Sequence, residues 1–330
     1  MGRMFFIFCL LVGHVYSANE CRQKHAITYQ GGDRFGDRML VYAQARYLSY
    51  LTSVPFLYRP FIYSDQVTID CEARLFDQCQ KEYQRTITVD SSASLVDFLH
   101  VIDNPQAAPT LFIIDYFPSD ISEWDLARTM KVLLDIPWQD KGFHTYLQKV
   151  ASPRIAIPNF RKEGVLNVAD HVRTLSGNDT ADTSSTTLPL KHPNLAYHKN
   201  QIRRIYHLNQ QKPMHVFIFS DTKNPAELVK DFRQTFAGTH IEFGIQMLEN
   251  ADTNYAVQDF FAMQQFDVLI VTQSNFSMMA SRIGEFDAVI SPVHVRGTYP
   301  NVQVDRIKLM TKQSNWFPYN LNITIREDGE

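Results

Sequence analysis

The stretch VLNVADHVRTLSGND, residues 165–179, places an apolar run in front of a histidine and an arginine. Side chains of a β-strand alternate between its two faces, so His171 and Arg173 fall on the same face. The run then gives way to small polar residues. The pattern predicts a buried strand that carries an imidazole and a guanidinium to the edge of a sheet.

Apolar, β-rich runs recur along the chain and alternate with segments of helical spacing. The runs are AITY (26–29), TLFIIDYF (110–117), HVFIFSD (215–221) and FDVLIVTQ (266–273). The helical segments are DRMLVYAQARYLSYLTSV (37–54), SLVDFLHVI (94–102), AELVKDFRQTF (226–236) and NFSMMASRIGEF (275–286). Strands that alternate with helices predict parallel sheets and an α/β fold.

The length of the chain, 330 residues, indicates two domains. A strand-like segment, PRIAIP, lies between Pro153 and Pro158, and the two prolines suggest a boundary region. We therefore expect one domain over residues 19–160 and a second over residues 161–330.

The first 18 residues, MGRMFFIFCLLVGHVYSA, have the layout of a secretory signal peptide. Arg3 precedes an apolar stretch, and the small residues Ser17 and Ala18 follow it. The apolar stretch is short for a helix that spans a bilayer, which takes about 20 apolar residues. The segment predicts export or entry into the endomembrane lumen, and a short membrane anchor is the alternative.

Charge and cysteine content limit the kinds of partner. The formal net charge is −3, which argues against a broad basic surface for nucleic acid but leaves room for a local anion pocket. Cys71 and Cys79 are close in sequence, and both a disulfide and two free thiols are compatible with this spacing. The cysteine pattern does not fit a zinc site.

Ligands of doubly wound sheets bind beyond the carboxyl ends of the strands, and two candidate stretches are rich in glycine or charge. QGGDRFGD (30–37) follows the first strand, and its glycines allow close approach of a ligand or simply a tight turn. In HVR, Arg173 offers a planar fork that suits a phosphate, with His171 beside it. A structural ion pair or a capped histidine is the alternative for this pair.

Two further stretches at strand ends carry hydroxyl and carboxyl groups. In FIFSDTKNP (217–225), Ser220 and Asp221 suit either a ribose or base, or the cap of a helix. In VTQSNFSMMASRIGEF (271–286), Ser277 and the start of a helix form a candidate diphosphate site. Plain capping of that helix by Ser274 or Asn275 is the alternative.

The order of these stretches resembles fucosyltransferases of the α-1,2 type and their α-1,6 and protein-O relatives. GGDRFGDRMLVYAQAR (31–46) is similar to their GGLGNQMFQYAxAR, HVRTLSGND to HxRRGD, FSDT to FSDD, and QSNFSMMASRIG to NSSFSWWGAWL. The resemblance extends from about Ile27 to Pro292. Departures are Asp33 and Arg34 within the glycine loop, Thr174 in place of a second arginine, and two methionines in place of a tryptophan pair.

The resemblance implies a GT-B-like fold, with two Rossmann-like domains that face each other across a cleft. It implies GDP-fucose as donor, bound mainly by residues 161–330, a glycan acceptor on the side of residues 19–160, inversion at the anomeric carbon, and neither metal nor cofactor. The implied catalytic residues are Arg173, His171 and Asp33. The implied substrate-binding residues are Gly31, Gly32, Asp179, Ser220, Asp221, Ser274, Asn275, Phe276 and Ser277.

On this interpretation Arg173 stabilises the leaving diphosphate, and Asp33 is the candidate base because it lies in the glycine loop. Two alternatives stay open at the level of sequence. The chain is compatible with a catalytically inactive, exported sugar-binding protein of the same fold. It is also compatible with a transferase for another nucleotide-sugar.

Overall fold

The structure is a computed structural model of the chain. It describes residues 23–30, 34–70, 74–90, 92–115, 141–174, 188–247, 255–296, 303–315 and 320–327. Several predicted features lie outside these ranges: the leader (1–18), Gly31, Gly32, Asp33, Cys71 and Asp179.

The chain divides into two compact units, Met1–Arg154 and Ile155–Glu330. The boundary expected from the sequence lies after residue 160. The strand expected at residues 153–158 is wrong, because only Pro153 makes a β-bridge there, with Val67, and the rest of the segment is irregular. Proline has no N–H to donate, so the two prolines of this segment weaken any ladder.

The first unit contains a parallel sheet of three strands in the order β1-β5-β4, and β2 pairs with β3 separately. Its described strands are β1 (His25–Tyr29), β2 (Leu57–Tyr58), β3 (Arg74–Leu75), β4 (Arg85–Val89) and β5 (Thr110–Ile114). Its described α-helices are α1 (Phe35–Thr52), α2 (Phe76–Cys79), α3 (Ser92–Asp103) and α4 (Lys141–Val150).

The long helix α1 is the central element of this unit, and it contacts β1 and β5. Apolar residues occupy most of its length, and the helix is buried from Met39 to Leu48. It ends at Ser53, whose φ of 57° is left-handed. Cys79, at the end of α2, is buried and disulfide-bonded. Because Cys71 lies outside the described residues, the Cys71–Cys79 pairing stays a prediction.

The second unit contains one sheet of seven strands in the order β12-β11-β10-β9-β6-β7-β8. Its described strands are β6 (Leu166–Val172), β7 (Met214–Ser220), β8 (Ile241–Ile245), β9 (Val268–Ile270), β10 (Ala288–Arg296), β11 (Gln303–Thr311) and β12 (Leu321–Arg326). Its described α-helices are α5 (Leu188–Lys191), α6 (Leu195–Leu208), α7 (Pro225–Thr235), α8 (Ala256–Met263) and α9 (Asn275–Ile283).

The five strands from β10 to β8 pair in parallel, whereas β11 and β12 extend the sheet in antiparallel fashion. Every residue of β6 and of β7 is buried. A strand covered on both faces by helices needs apolar side chains in both directions, which explains the nearly continuous apolar runs in the sequence. The predicted α/β class is therefore confirmed.

The two faces of β6 meet different helices. Leu166, Val168 and Val172 belong to an apolar cluster that includes residues of α6 and α7. The opposite face carries His171, whose ring lies 5.7 Å from the ring of Phe276 in α9. Because residues two apart share a face, Arg173 continues the α9 side and Asp170 belongs to the α6 side.

Candidate functional site

Three of the four predicted stretches meet at one edge of the seven-stranded sheet. The strand β6 lies between β9 and β7, and all three run parallel, so their carboxyl ends point the same way. Arg173 follows β6, Asp221 follows β7, and the segment from Val271 to Ser274 connects β9 to α9. The fourth stretch belongs to the first unit, and Gly31, Gly32 and Asp33 lie outside the described residues.

Arg173 is the centre of this edge. Its Nη1 donates to Ser274 Oγ over 3.2 Å, and its Nε lies 3.6 Å from Asp221 Oδ2. The side chain is 12% exposed. The guanidinium is thus fixed between the residues that follow two neighbouring strands, as the prediction of a shared edge requires.

The Asp221 carboxylate accepts hydrogen bonds from Thr174. Its Oδ1 accepts a hydrogen bond from the backbone N–H of Thr174 at 2.7 Å and one from the Thr174 hydroxyl at 3.1 Å. The alternative, that Asp221 caps the next helix, does not hold, because α7 starts at Pro225 with Asn224 at its N-cap. The carboxylate instead joins the ends of β6 and β7 and lies beside the Arg173 guanidinium.

Ser220, the last residue of β7, is buried and serves the turn that follows. Its hydroxyl oxygen accepts a hydrogen bond from the backbone N–H of Thr222 at 3.2 Å. The described contact is therefore local, and it shapes the chain between β7 and α7.

His171 is a neutral, buried side chain. Burial is the main cause that lowers its pKa well below the ordinary value of 6.5, and the charge of Arg173 adds to it. Its Nδ1 lies 3.4 Å from the hydroxyl of Thr272. At physiological pH the imidazole therefore serves as a hydrogen-bonding group rather than as a cation.

The start of α9 supplies backbone donors to the same edge. The first hydrogen bond inside the helix runs from Met278 N to Ser274 O, at 2.9 Å. The first N–H groups of any helix have no acceptor within it, and its N-terminus carries a partial positive charge. In α9 these N–H groups belong to residues that include Asn275 and Phe276. Because Arg173 bonds to Ser274, directly before them, the predicted anion-binding helix start lies next to Arg173.

The two serines at this helix start have different partners. Ser274 makes no capping hydrogen bond with its side chain, so the predicted plain cap is not formed by this residue, and its hydroxyl accepts from Arg173 instead. The Ser277 hydroxyl is fully buried and donates to the carbonyl oxygens of Thr272 and Ser274, at 3.4 and 3.5 Å. Both bonds are long, so they hold the Ser277 hydroxyl weakly.

No protein-family model and no curated protein sequence matches the chain. Solved structures do match. Arabidopsis thaliana FUT1, solved as a point mutant with GDP, has a TM-score of 0.51 and 12% identity, over 86% of this chain and 75% of that chain. The chain has a GT-B-like α/β fold.

Two further solved structures are similar at lower scores. POFUT1 in complex with GDP-fucose has a TM-score of 0.43 and 14% identity, over 79% of this chain and 95% of that chain. The α-1,6-fucosyltransferase NodZ from Bradyrhizobium, solved with GDP, has a TM-score of 0.42 and 13% identity, over 90% of this chain and all of that chain.

One half-buried acid, Asp259, was not assigned to the site from the sequence, although it belongs to DFFAMQQFDVLI (259–270), a segment that also resembles a fucosyltransferase motif. Asp259 lies on α8, which packs on α9 through the rings of Phe260 and Phe276, 5.4 Å apart. Burial raises the pKa of the Asp259 carboxyl to about 7, and its Oδ1 has no hydrogen-bond partner in the described part of the chain.

Within the described residues, no group of three or more histidine, cysteine, aspartate or glutamate side chains has an arrangement that suits a metal ion.

Proposed function

We propose that the protein is an inverting glycosyltransferase that transfers fucose from GDP-fucose to a hydroxyl group of a glycan. The observation that carries the proposal is the position of Arg173, held between Ser274 and Asp221 beside the start of α9. An arginine fork and a helix N-terminus are two devices by which proteins hold phosphate groups. Their combination at the carboxyl ends of parallel strands is typical of a nucleotide site.

The proposed reaction breaks the bond between the anomeric carbon of the sugar and the oxygen of the β-phosphate. The acceptor oxygen forms the new bond from the opposite side, which inverts the anomeric carbon. Negative charge grows on the β-phosphate as it leaves, and Arg173 and the N–H groups at the start of α9 stabilise that charge. A preorganised donor of this kind contributes about 100- to 1,000-fold to the rate.

The acceptor hydroxyl loses its proton in this step, and we propose Asp33 as the group that takes it. The support is its place in the glycine loop that resembles the fucosyltransferase motif. We assign Gly31, Gly32 and Asp179 to substrate binding on the same resemblance. His171, neutral and buried beside Arg173, orients the donor through hydrogen bonds and does not serve as a cation.

The choice of GDP rests on two kinds of support. The motifs resemble those of enzymes that use GDP-fucose, and FUT1, the structural neighbour with the same fold, was solved with GDP. Guanine presents two neighbouring N–H donors, and a carboxylate is the acceptor that fits them. We propose Asp259 as that acceptor, since the Thr174 contacts already occupy Asp221.

We propose that the protein acts in the endomembrane lumen or after export, because of the predicted leader. None of the described helices is both long and apolar enough to cross a bilayer. Translation with microsomes tests this proposal: a shortened, protease-protected product indicates cleavage, and a protected product of full length indicates an anchor. A product that stays accessible to protease contradicts entry into the lumen.

Calorimetric titration of the purified chain with GDP, UDP and CMP, in the presence of a chelator, tests the donor site. We expect GDP to bind selectively, Arg173→Ala to abolish binding, and Arg326→Ala to leave it unchanged. Arg326 is the matched control because it is an exposed arginine of β12. Folded protein that binds none of the three nucleotides would contradict the proposed function. Binding without sugar transfer to any acceptor would indicate a sugar-binding protein.

A further inference from the structure

The strands β6 and β9 separate directly below the candidate site. Their last paired residues are Asp170 and Ile270, and beyond this point the two chains diverge. Arg173 and Ser274, which bridge the gap through a hydrogen bond of 3.2 Å, lie three and four residues beyond the last pair. The relative position of the two strand ends therefore determines whether this bond forms.

Helix α6 bonds to the ends of both strands, β6 and β9, at the point where their pairing stops. His198 Nδ1 lies 2.7 Å from Asp170 Oδ1, so the helix bonds to the last paired residue of β6. The neighbouring residue, Tyr197, donates from its hydroxyl to the carbonyl oxygen of Val271 at 3.0 Å, directly after β9. Two consecutive residues of one helix, Tyr197 and His198, thus bond to the ends of β9 and β6.

The polar pair of Asp170 and His198 has no evident value for stability. Both side chains are fully buried. Asp170 lies on the strand face that carries the apolar residues Leu166 and Val168, and His198 reaches it from α6. Asp170 Oδ2 and His198 Nε2 have no hydrogen-bond partner among the described residues. Burying polar atoms without partners is unfavourable, and apolar side chains of similar volume are often equally or more stabilising in such places.

We propose that Asp170 and His198 are positioning residues that fix the carboxyl end of β6 against that of β9, so that Arg173 and Ser274 face a bound diphosphate together. A hydrogen bond has a preferred direction and length, which apolar packing lacks. The pair acts through the backbone and does not touch the ligand. The effect on nucleotide binding rests on the proposed function, whereas the effect on the strand ends does not.

The test uses the full chain with a double substitution, Asp170→Val with His198→Leu, which removes both polar partners at once. Hydrogen exchange of the ligand-free protein, followed by mass spectrometry, measures the strand ends directly. We expect exchange to accelerate about fivefold or more in peptides that cover residues 271–277, because local opening there becomes easier. GDP titration is expected to show about tenfold weaker binding, since small displacements of a site are costly.

His215→Leu is the matched control. His215 is also a buried histidine of the same sheet, but it lies at the opposite end of β7 from the site. We expect it to leave both the exchange of residues 271–277 and the binding of GDP unchanged. If His215→Leu loosens these peptides as much as the double variant does, the effect is general and the proposal fails.

The remaining outcomes also decide the question. Unchanged exchange in the double variant overturns the proposal, as does unchanged affinity when the parent protein binds GDP. If the double variant does not fold, Asp170→Asn replaces it, because asparagine keeps the shape and a neutral hydrogen bond, and the same two measurements apply with an expected change of about threefold. If the parent protein does not bind GDP, the proposed function fails, and hydrogen exchange alone decides the positioning role.

Discussion

Arg46 in the first unit and Arg173 in the second are both largely buried, but their surroundings differ. The Arg46 guanidinium lies 4.0 Å from the centre of the Phe56 ring and donates to two tyrosine hydroxyls and one carbonyl oxygen. Arg173 extends from a strand end and contacts the short polar side chains of Ser274 and Asp221. Arg46 is fixed inside a core by the aromatic rings that pack on it, whereas Arg173 lies at the carboxyl end of a parallel strand, where ligands of such sheets bind.

The largest expected effect separates the two arginines by stability. We predict that Arg46→Ala lowers the free energy of unfolding by about 3–5 kcal/mol, because it leaves a cavity and removes a donor from Tyr42, Tyr146 and Ile69. Thermal unfolding followed by circular dichroism measures the change, with the exposed Arg85→Ala as control. If Arg46→Ala unfolds at the parent temperature, the comparison between the two arginines loses its basis.

The second prediction concerns catalysis by Arg173. We expect Arg173→Ala to lower kcat/KM for sugar transfer about 100- to 1,000-fold, because it removes the group that holds the diphosphate and stabilises the charge on it as it leaves. The unfolding temperature should change little. Arg173→Lys keeps the charge but loses the planar fork, so its rate should lie between those of the parent and the alanine variant. A rate for Arg173→Ala close to that of the parent would remove Arg173 from the proposed mechanism.

The sequence predicted the strands and helices that have a strong apolar pattern. The strands β6 and β7 and the helix α9 were expected within a few residues, because each is a long run with one clear periodicity. The strands β10, β11 and β12 were missed. In β10 a proline and an irregular register near Pro292 and His294 interrupt the pattern. β12, LNITIR, does alternate apolar and polar residues, but it is short and largely exposed and was overlooked.

The candidate site was predicted in part for a similar reason. Side chains alternate along a strand, so His171 and Arg173 were expected on one face from the sequence alone. The partners of Asp221 were not, because the Thr174 contact depends on how two adjacent strands end. The raised pKa of Asp259 was not accessible either, because desolvation is a property of tertiary packing.

The third prediction uses that raised pKa. Ionisation of Asp259 destabilises the folded state, since burial raises its folded pKa to about 7 from an ordinary value of 3.8. The penalty begins above the unfolded pKa and is complete above the folded one. We therefore expect Asp259→Asn to stabilise the protein by on the order of 2 kcal/mol at pH 8 and to have little effect at pH 4.

Urea unfolding at the two pH values measures this difference, and the exposed Asp77→Asn is the control. An equal effect of Asp259→Asn at pH 4 and pH 8 would show that the carboxyl titrates normally. The same variant also tests the proposed contact with GDP. If Asp259→Asn binds GDP more weakly without being less stable, Asp259 belongs with Arg173 among the ligand-binding residues of the second unit.

The smallest expected effect distinguishes two serines of α9. Ser277 and Ser281 are both buried, and each donates its hydroxyl to a backbone carbonyl oxygen nearby. The bond of Ser281 to Met278 O is short, 2.7 Å, whereas the two bonds of Ser277 are long, 3.4 and 3.5 Å. The weakly held hydroxyl loses little when it turns to a phosphate oxygen.

We predict that Ser277→Ala weakens GDP binding about fivefold, the value of one ordinary hydrogen bond, and that Ser281→Ala leaves it unchanged. Titration calorimetry compares the two variants directly. Equal affinities would mean that only the backbone of α9 and Arg173 hold the diphosphate.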